Sequence, residues 1–129
     1  MAGALTISTL NDSSGVLSVR NGMTGIAKAW VNYNIGSQLI NNSFNVSSVT
    51  YNATGNFTVN FATSMPNANY VPCGIVRKDN DSNDAAVFLK LNNSSTQSVS
   101  QCNLLQTYQT TGGGGLFNSS NAYVVFFGS

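Results

Sequence analysis

Residues 27–70 read AKAWVNYNIGSQLINNSFNVSSVTYNATGNFTVNFATSMPNANY. Apolar residues recur there at every second position, at Phe44 and Val46, at Val49 and Tyr51, and at Phe57, Val59 and Phe61. A period of two sends successive side chains to opposite faces of a strand, so each run predicts a half-buried strand with one face toward a core. Between the last two runs, Asn52-Ala53-Thr54-Gly55-Asn56 has no apolar period and carries Gly and Asn, which tolerate positive φ. It predicts the turn of a β-hairpin. The alternation slips phase between Val46 and Val49, which predicts a bulge or a short bend in the first arm.

The same reading extends in both directions. Residues 26–34 form the preceding strand and hold Trp30, the only tryptophan. A buried indole removes a large apolar area from water, so Trp30 is expected to anchor the core; the alternative is ligand stacking at the surface. Downstream, residues 70–78 (YVPCGIVRK) place Val71, Cys73, Ile75 and Arg77 on one face. Pro72 cannot donate to a ladder, so this strand lies at an edge or begins after Pro72. Residues 85–91 alternate Val87, Leu89 and Leu91 against Ala86, Phe88 and Lys90, and residues 99–108 make a further strand. Residues 112–115 are four glycines and are read as a flexible loop. Residues 121–127 end in Tyr123-Val124-Val125-Phe126-Phe127, apolar on both faces, as in a central strand or one buried between subunits.

Toward the N-terminus, residues 4–10 alternate as a short strand or extended arm, residues 11–15 have turn chemistry, and Asn21-Gly22 is the strongest two-residue turn signal. No window shows sustained helical period with caps. The expectation is an all-β fold: a single-domain antiparallel β-sandwich of about eight to nine short strands, with an extended N-terminal arm over residues 1–25 and the sandwich over 26–129.

Composition limits the chemistry. The chain of 129 residues has no His and no Glu, and charged residues make up only 7 %, against about 25 % in ordinary domains. Roughly a third of the chain is Asn, Ser or Thr. Histidine-based triads and zinc sites are excluded outright, and few groups remain for general acid–base work. The chain is therefore read as not an enzyme, with no catalytic, cofactor-binding or metal-binding residues and no cofactor. A net charge of +1 gives no long-range field toward nucleic acid or an anionic membrane. The first residues have no basic flank and no long apolar run, so no secretory signal is read there. No stretch approaches the roughly 20 apolar residues of a spanning helix, so membrane insertion is not expected.

Two features leave alternatives open. Cys73 and Cys102 are the only cysteines, and both sit among apolar or small residues. They are two buried thiols or one bridged pair. Asp79, Asp81 and Asp84 begin with the spacing of a calcium loop, but Asp84 stands where that motif needs Gly and Lys90 where it needs Glu. This is a solvated turn or a weak calcium site.

Residues 28–34, 43–61 and 65–70 carry a resemblance. They are similar to a module of tailed bacteriophages that reads KAWVNFNG, SFNVSSITDNGTGDYTVNF and AMPDANY, found at the ends of tail-fibre proteins or as short virion proteins. The matched region, residues 27–70, is about a third of the chain; it departs from the pattern at residues 35–42, where a Gly-Thr-rich turn is common, and where Asn52 or Asn56 replaces an acid. The resemblance implies a β-rich virion surface protein, homotrimeric, assembled in the host cytoplasm beside other virion proteins of the tail or capsid. Two functions follow as expectations. One is a tail-fibre-type module that attaches to a host surface glycan or protein through loops at residues 35–42, 79–84 and 112–120. The other is a capsid decoration protein that stabilises the capsid as a trimer, its arm adding a strand to a neighbouring coat protein. No single side chain is assigned to receptor binding.

Overall fold

The computed structural model describes residues 3, 9–12, 15–18, 25–77, 86–95 and 97–128. Its strands are β1 (Thr9–Asp12), β2 (Gly15–Ser18), β3 (Ala27–Asn34), β4 (Leu39–Phe44), β5 (Val46–Ala53), β6 (Asn56–Phe61), β7 (Val71–Arg77), β8 (Ala86–Leu91), β9 (Gln101–Thr110), β10 (Gly113–Leu116) and β11 (Asn121–Phe127). Nine of them, β3–β11, build two antiparallel sheets. The front sheet runs β4-β3-β11-β7. The back sheet runs β5-β6-β9-β8, with β10 continuing the β6 edge of β9 beyond Leu105. β1 and β2 pair antiparallel in a two-stranded sheet of their own, so Asn11, Asp12 and Gly15, expected in a turn, are strand residues. The rest of the expected arm, residues 4–8, and the Asn21-Gly22 turn lie outside the described residues.

Alternation decides what each strand contributes. Ala29, Val31 and Tyr33 of β3, and Ala122, Val124 and Phe126 of β11, face inward from the front sheet. Phe57, Val59 and Phe61 of β6 meet them with Cys102 and Leu104 of β9 from the back sheet. Aromatic rings fill the two ends of this core. At one end Phe61, Tyr70 and Phe126 pack edge to face, with centroids 5.0–5.9 Å apart. At the other, Tyr33 lies 5.4 Å from Phe57. Such ring pairs add about 0.5–1.5 kcal/mol each beyond the area they bury.

One residue carries the chain from sheet to sheet. Asn45 stands between β4 and β5 at φ 53°, a left-handed conformation that Asn adopts more readily than most residues. Its Nδ2 donates to the Lys28 carbonyl oxygen at 3.0 Å and to that of Thr63 at 3.1 Å, and its Oδ1 accepts from the Thr63 N–H at 2.7 Å. Because the backbone turns here, Phe44 and Val46 do not share a face. Val46 packs against the core, while Phe44 is 54 % exposed on the outside of the front sheet. The expected phase slip is a β-bulge: Val46 pairs with Phe61 and Ser48 with Asn60, leaving Ser47 over, and its hydroxyl donates to the Asn60 carbonyl oxygen at 3.1 Å.

The predicted hairpin also forms, with Ala53 opposite Asn56 and Gly55 at φ +65°. A Cβ on Gly55 would stand 2.7 Å from the Gln106 carbonyl oxygen and 2.9 Å from Phe117 backbone atoms. Residues 117–120 close this end of the sandwich. The Asn118 Oδ1 accepts from Gly55 N–H at 2.8 Å, the Gln106 Oε1 from Ser119 N–H at 3.0 Å, and the Ser119 carbonyl oxygen from Gly36 N–H at 3.3 Å.

Three expectations are corrected. The glycine run is not a loop: residues 113–116 pair with β9 as β10. Glycine gives no strand signal, but backbone pairing needs no side chain, and the Cβ position of Gly114 is already taken by the Tyr108 carbonyl oxygen. Trp30 does not anchor the core, because Ala29, Val31 and Tyr33 hold the inward phase of β3 and leave Trp30 on the outer face. Cys73 is exposed, not buried, since β7 turns its odd-numbered residues outward. Other expectations hold: β7 with its Pro72 is an edge strand, and β11 is a central one.

Asn45→Ala removes three hydrogen bonds, each worth about 1 kcal/mol, and places Cβ-bearing alanine at positive φ. It is expected to lower unfolding free energy by about 3 kcal/mol in urea titrations, and Asn45→Gly by about 1 kcal/mol less because glycine accepts that φ. Equal losses would assign no role to the backbone turn. Gly55→Ala is expected to cost more than about 2 kcal/mol, from both the positive φ and the backbone collision.

Candidate functional site

The two outer faces of the sandwich differ in kind. On the back sheet, Asn and Thr side chains of β5, β6 and β9 satisfy one another, while Phe88 of β8 and Leu116 of β10 stand exposed on either side of Thr107. Asn103 Nδ2 donates to Thr58 Oγ1 at 2.7 Å and to Asn56 Oδ1 at 3.1 Å, and Asn52 Nδ2 donates to the same Thr58 oxygen at 2.9 Å. Asn60 Nδ2 donates to Ser48 and Thr50, each at 3.0 Å. These cross-strand ladders spend their donors internally, over β5, β6 and β9.

The front sheet presents a different surface. Cross-strand register sets Phe44, Trp30, Val125 and Cys73 in one row and Asn42, Asn32, Tyr123 and Ile75 in the next. Val71 and Ile75 are 61 % and 69 % exposed, and Tyr123 and Phe127 more than a third. Among the described residues, the charged side chains on this face are Lys28 and Arg77, at its margins. Monomeric proteins seldom leave a contiguous apolar face of this extent without a use for it.

Within the face lies a depression of about 320 Å³ lined by Trp30, Asn32, Asn42, Tyr123 and Val125, with the backbone of the central strands beneath. It exists because small Val125 and Asn32 stand diagonally between two large rings. Among the described residues neither Trp30 nor Tyr123 pairs with another aromatic ring; Trp30 is half-buried and Tyr123 exposed, and both line the depression. Among the described residues Asn32 is held through its oxygen: Oδ1 accepts from Asn121 Nδ2 at 2.7 Å and from Asn41 Nδ2 at 3.2 Å. Asn41 reaches it because a register shift in β4 inserts one residue opposite Asn32 and Tyr33. With Oδ1 so engaged, the orientation of the amide is fixed and Nδ2 is left as a donor. Asn42 is oriented similarly, its Oδ1 accepting from Ser43 N–H at 2.9 Å.

The chain matches no protein-family model, no curated protein and no solved structure.

Of the three loops expected to bind, only part is placed at this surface. Residues 35–42 contribute Asn41 and Asn42 through β4. Residues 112–120 form β10 and the plug that closes the Gly55 end. Asp79, Asp81 and Asp84 lie outside the described residues. Among the described residues no group of three His, Cys, Asp or Glu side chains comes together. Of the residues lining the depression, Trp30 had ligand stacking as its alternative reading, whereas Asn32, Tyr123 and Val125 were not expected as site residues. The signal that finds them is phase: once Ala29, Val31 and Tyr33 are taken as the inward set, Trp30 and Asn32 must point out.

The cysteines belong to opposite environments. Cys73 is on the outer face of the front sheet and Cys102 on the inner face of the back sheet, and both are free thiols. Burial pushes the Cys102 thiol up to about 11 from its ordinary 9.0. Burial likewise raises Tyr70, whose hydroxyl donates to the Gln101 carbonyl oxygen at 2.8 Å, and Tyr33. A folded-state pKa above the unfolded value stabilises the protonated form. The Cys102 contribution is therefore complete below about pH 9 and is lost as pH rises toward about 11. In native protein at pH 8, a disulfide reagent is expected to modify Cys73 at once and Cys102 only after denaturation. Cys73→Ser should remove the fast phase; two fast thiols would contradict the assigned burial.

Proposed function

We propose that the chain is a non-enzymatic structural protein on the surface of a tailed-bacteriophage particle, a homotrimeric tail-fibre-type module that attaches the particle to its host. The observation that carries this reading is the outer face of the front sheet, where Trp30 and Tyr123 on the central strands and the oriented amides of Asn32 and Asn42 line one depression. A rigid sheet of this kind recognises by shape and hydrogen bonding, without an ionisable pair to perform a reaction. The resemblance of residues 28–34, 43–61 and 65–70 to the phage module supplies the setting. In the fold those residues include Asn45, Gly55, Phe57, Met65 and Tyr70, the bend, turn and core positions on which the sandwich rests.

A second reading is favoured by one specific feature. Val71, Ile75 and Phe127 extend the apolar surface beyond the depression. A decoration protein that clamps capsid subunits as a trimer would use such a surface for protein contact.

Quantitative mass spectrometry of purified particles, with immunogold labelling, separates the two. Attachment expects a copy number on the order of tens or fewer, with label at the tail, as a small cyclic assembly gives. It also expects purified protein to slow adsorption of particles to cells. Label spread over the capsid at hundreds of copies, on the order of a shell lattice, would replace the first reading by the second.

A further inference from the structure

We propose that the depression on the front sheet is a saccharide site for a neutral, uncharged glycan, which stacks on Trp30 and Tyr123 and accepts hydrogen bonds from Asn32 and Asn42. The inference rests on the attachment reading and names the ligand class and residues of that attachment.

The argument starts from what the lining offers. A pyranose has C–H faces that pack on aromatic rings and a rim of hydroxyls that need partners. Trp30 and Tyr123 both line the depression, and among the described residues neither is paired with another aromatic ring. Asn32 offers Nδ2 in a fixed direction, because Asn41 and Asn121 hold its oxygen. Asn42 offers its Nδ2 in the same row, two strands from Tyr123. Apolar lining with a few oriented polar groups is the composition of a small-ligand site, and about 320 Å³ stands at the lower end of the usual ~300–1,000 Å³.

The alternatives fit less well. No charged side chain lines the depression, so an ionised ligand would lose hydration there without a counter-charge. A peptide captured by strand addition needs a free strand edge. β3 lies between β4 and β11, and β11 between β3 and β7, so neither central strand has one. A second copy docked face to face is the competing occupant, and the oligomer measurement below distinguishes it.

Trp30 is the only tryptophan in the chain, so its emission reports this site alone. The experiment titrates the full chain with glucose, galactose, mannose, rhamnose, N-acetylglucosamine and N-acetylgalactosamine and their short oligosaccharides. At least one is expected to change Trp30 emission saturably. Asn32→Asp preserves the shape and both accepted hydrogen bonds but has no donor. It and Tyr123→Ala are expected to weaken that binding by about tenfold or more, the loss of one oriented contact. Asn60→Ala, on the opposite face, is expected to leave it unchanged. Thermal melts establish that each variant folds, and Trp30→Ala followed by calorimetry gives a second measurement on the other ring.

Absence of a saturable response to every saccharide would overturn the proposal. So would binding that survives both Asn32→Asp and Tyr123→Ala, or a wild-type oligomer that these substitutions dissociate without any saccharide response. The reading beneath it fails separately. Glycan-array binding that persists in both variants removes this site but leaves attachment standing, whereas capsid-wide labelling removes attachment whatever the sugars do.

Discussion

The sandwich depends on the bend at Asn45. Its amide nitrogen holds the carbonyl oxygen of Lys28, in the front sheet, and its amide also grips both backbone groups of Thr63, just past β6 of the back sheet. A single side chain thus fixes the spacing of the two layers where the chain crosses between them. Aspartate could accept from Thr63 but could not donate to two carbonyls, and serine is too short to serve three partners in two directions. The left-handed backbone at this position completes the requirement. Without the turn, alternation would carry Phe44 and Val46 on the same face, and one of the two sheets would lose its register with the core.

From that bend follows the difference between the outer faces. The hairpin β5–β6 continues into a back sheet whose Asn, Ser and Thr side chains hydrogen-bond across strands. The front sheet receives the residues left out of phase by the core: Trp30 beside Val31, Phe44 before the bend, Tyr123 and Phe127 flanking Val124 and Phe126. Burial of the inward set on β3 and β11 forces the outward set into solvent, whatever its polarity. An apolar side chain held out in this way by a core of its neighbours gains nothing for the folded monomer, so contact with another molecule is the simplest use for it.

How far this was legible in the sequence depended on what kind of signal each residue gave. The hairpin at Gly55, the bulge at Ser47, the edge position of Pro72 and the central place of β11 all follow from local chemistry or from period, and all are present. The errors share one cause. Trp30, Phe44 and Cys73 were assigned by what their side chains prefer, whereas their facing is set by neighbours one residue away. Alternation gives two phases: in YVVFF both are apolar and hydrophobicity does not choose between them, whereas in AKAWVNY the phase of Trp30 also holds Lys28 and Asn32, which outweigh the indole. The glycines of β10 were missed for the opposite reason: a pairing made wholly by backbone leaves no trace in side-chain pattern. The front-sheet depression needed cross-strand register, which brings Asn32 of β3 opposite Tyr123 of β11, ninety-one positions later in the chain.

That long separation gives the candidate site its rigidity. Asn121, which holds the Asn32 oxygen, opens β11 directly after the plug at residues 117–120. The plug is fixed by Asn118 on Gly55, by Ser119 on Gln106 and by Gly36 on Ser119. Gln106 is wholly buried, and its Nε2, like the Ser119 hydroxyl, has no hydrogen-bond partner among the described residues. A buried amide satisfied on one side only is costly to keep, about 1–3 kcal/mol. The fold retains it where it positions the start of β11. The direction in which Asn32 presents its donor is therefore set from the far end of the sandwich, through the amide side chains of Asn118 and Gln106 that hold the plug and that of Asn121 that holds the Asn32 oxygen. An amide held in this way meets a ligand already oriented, so less ordering is required on binding.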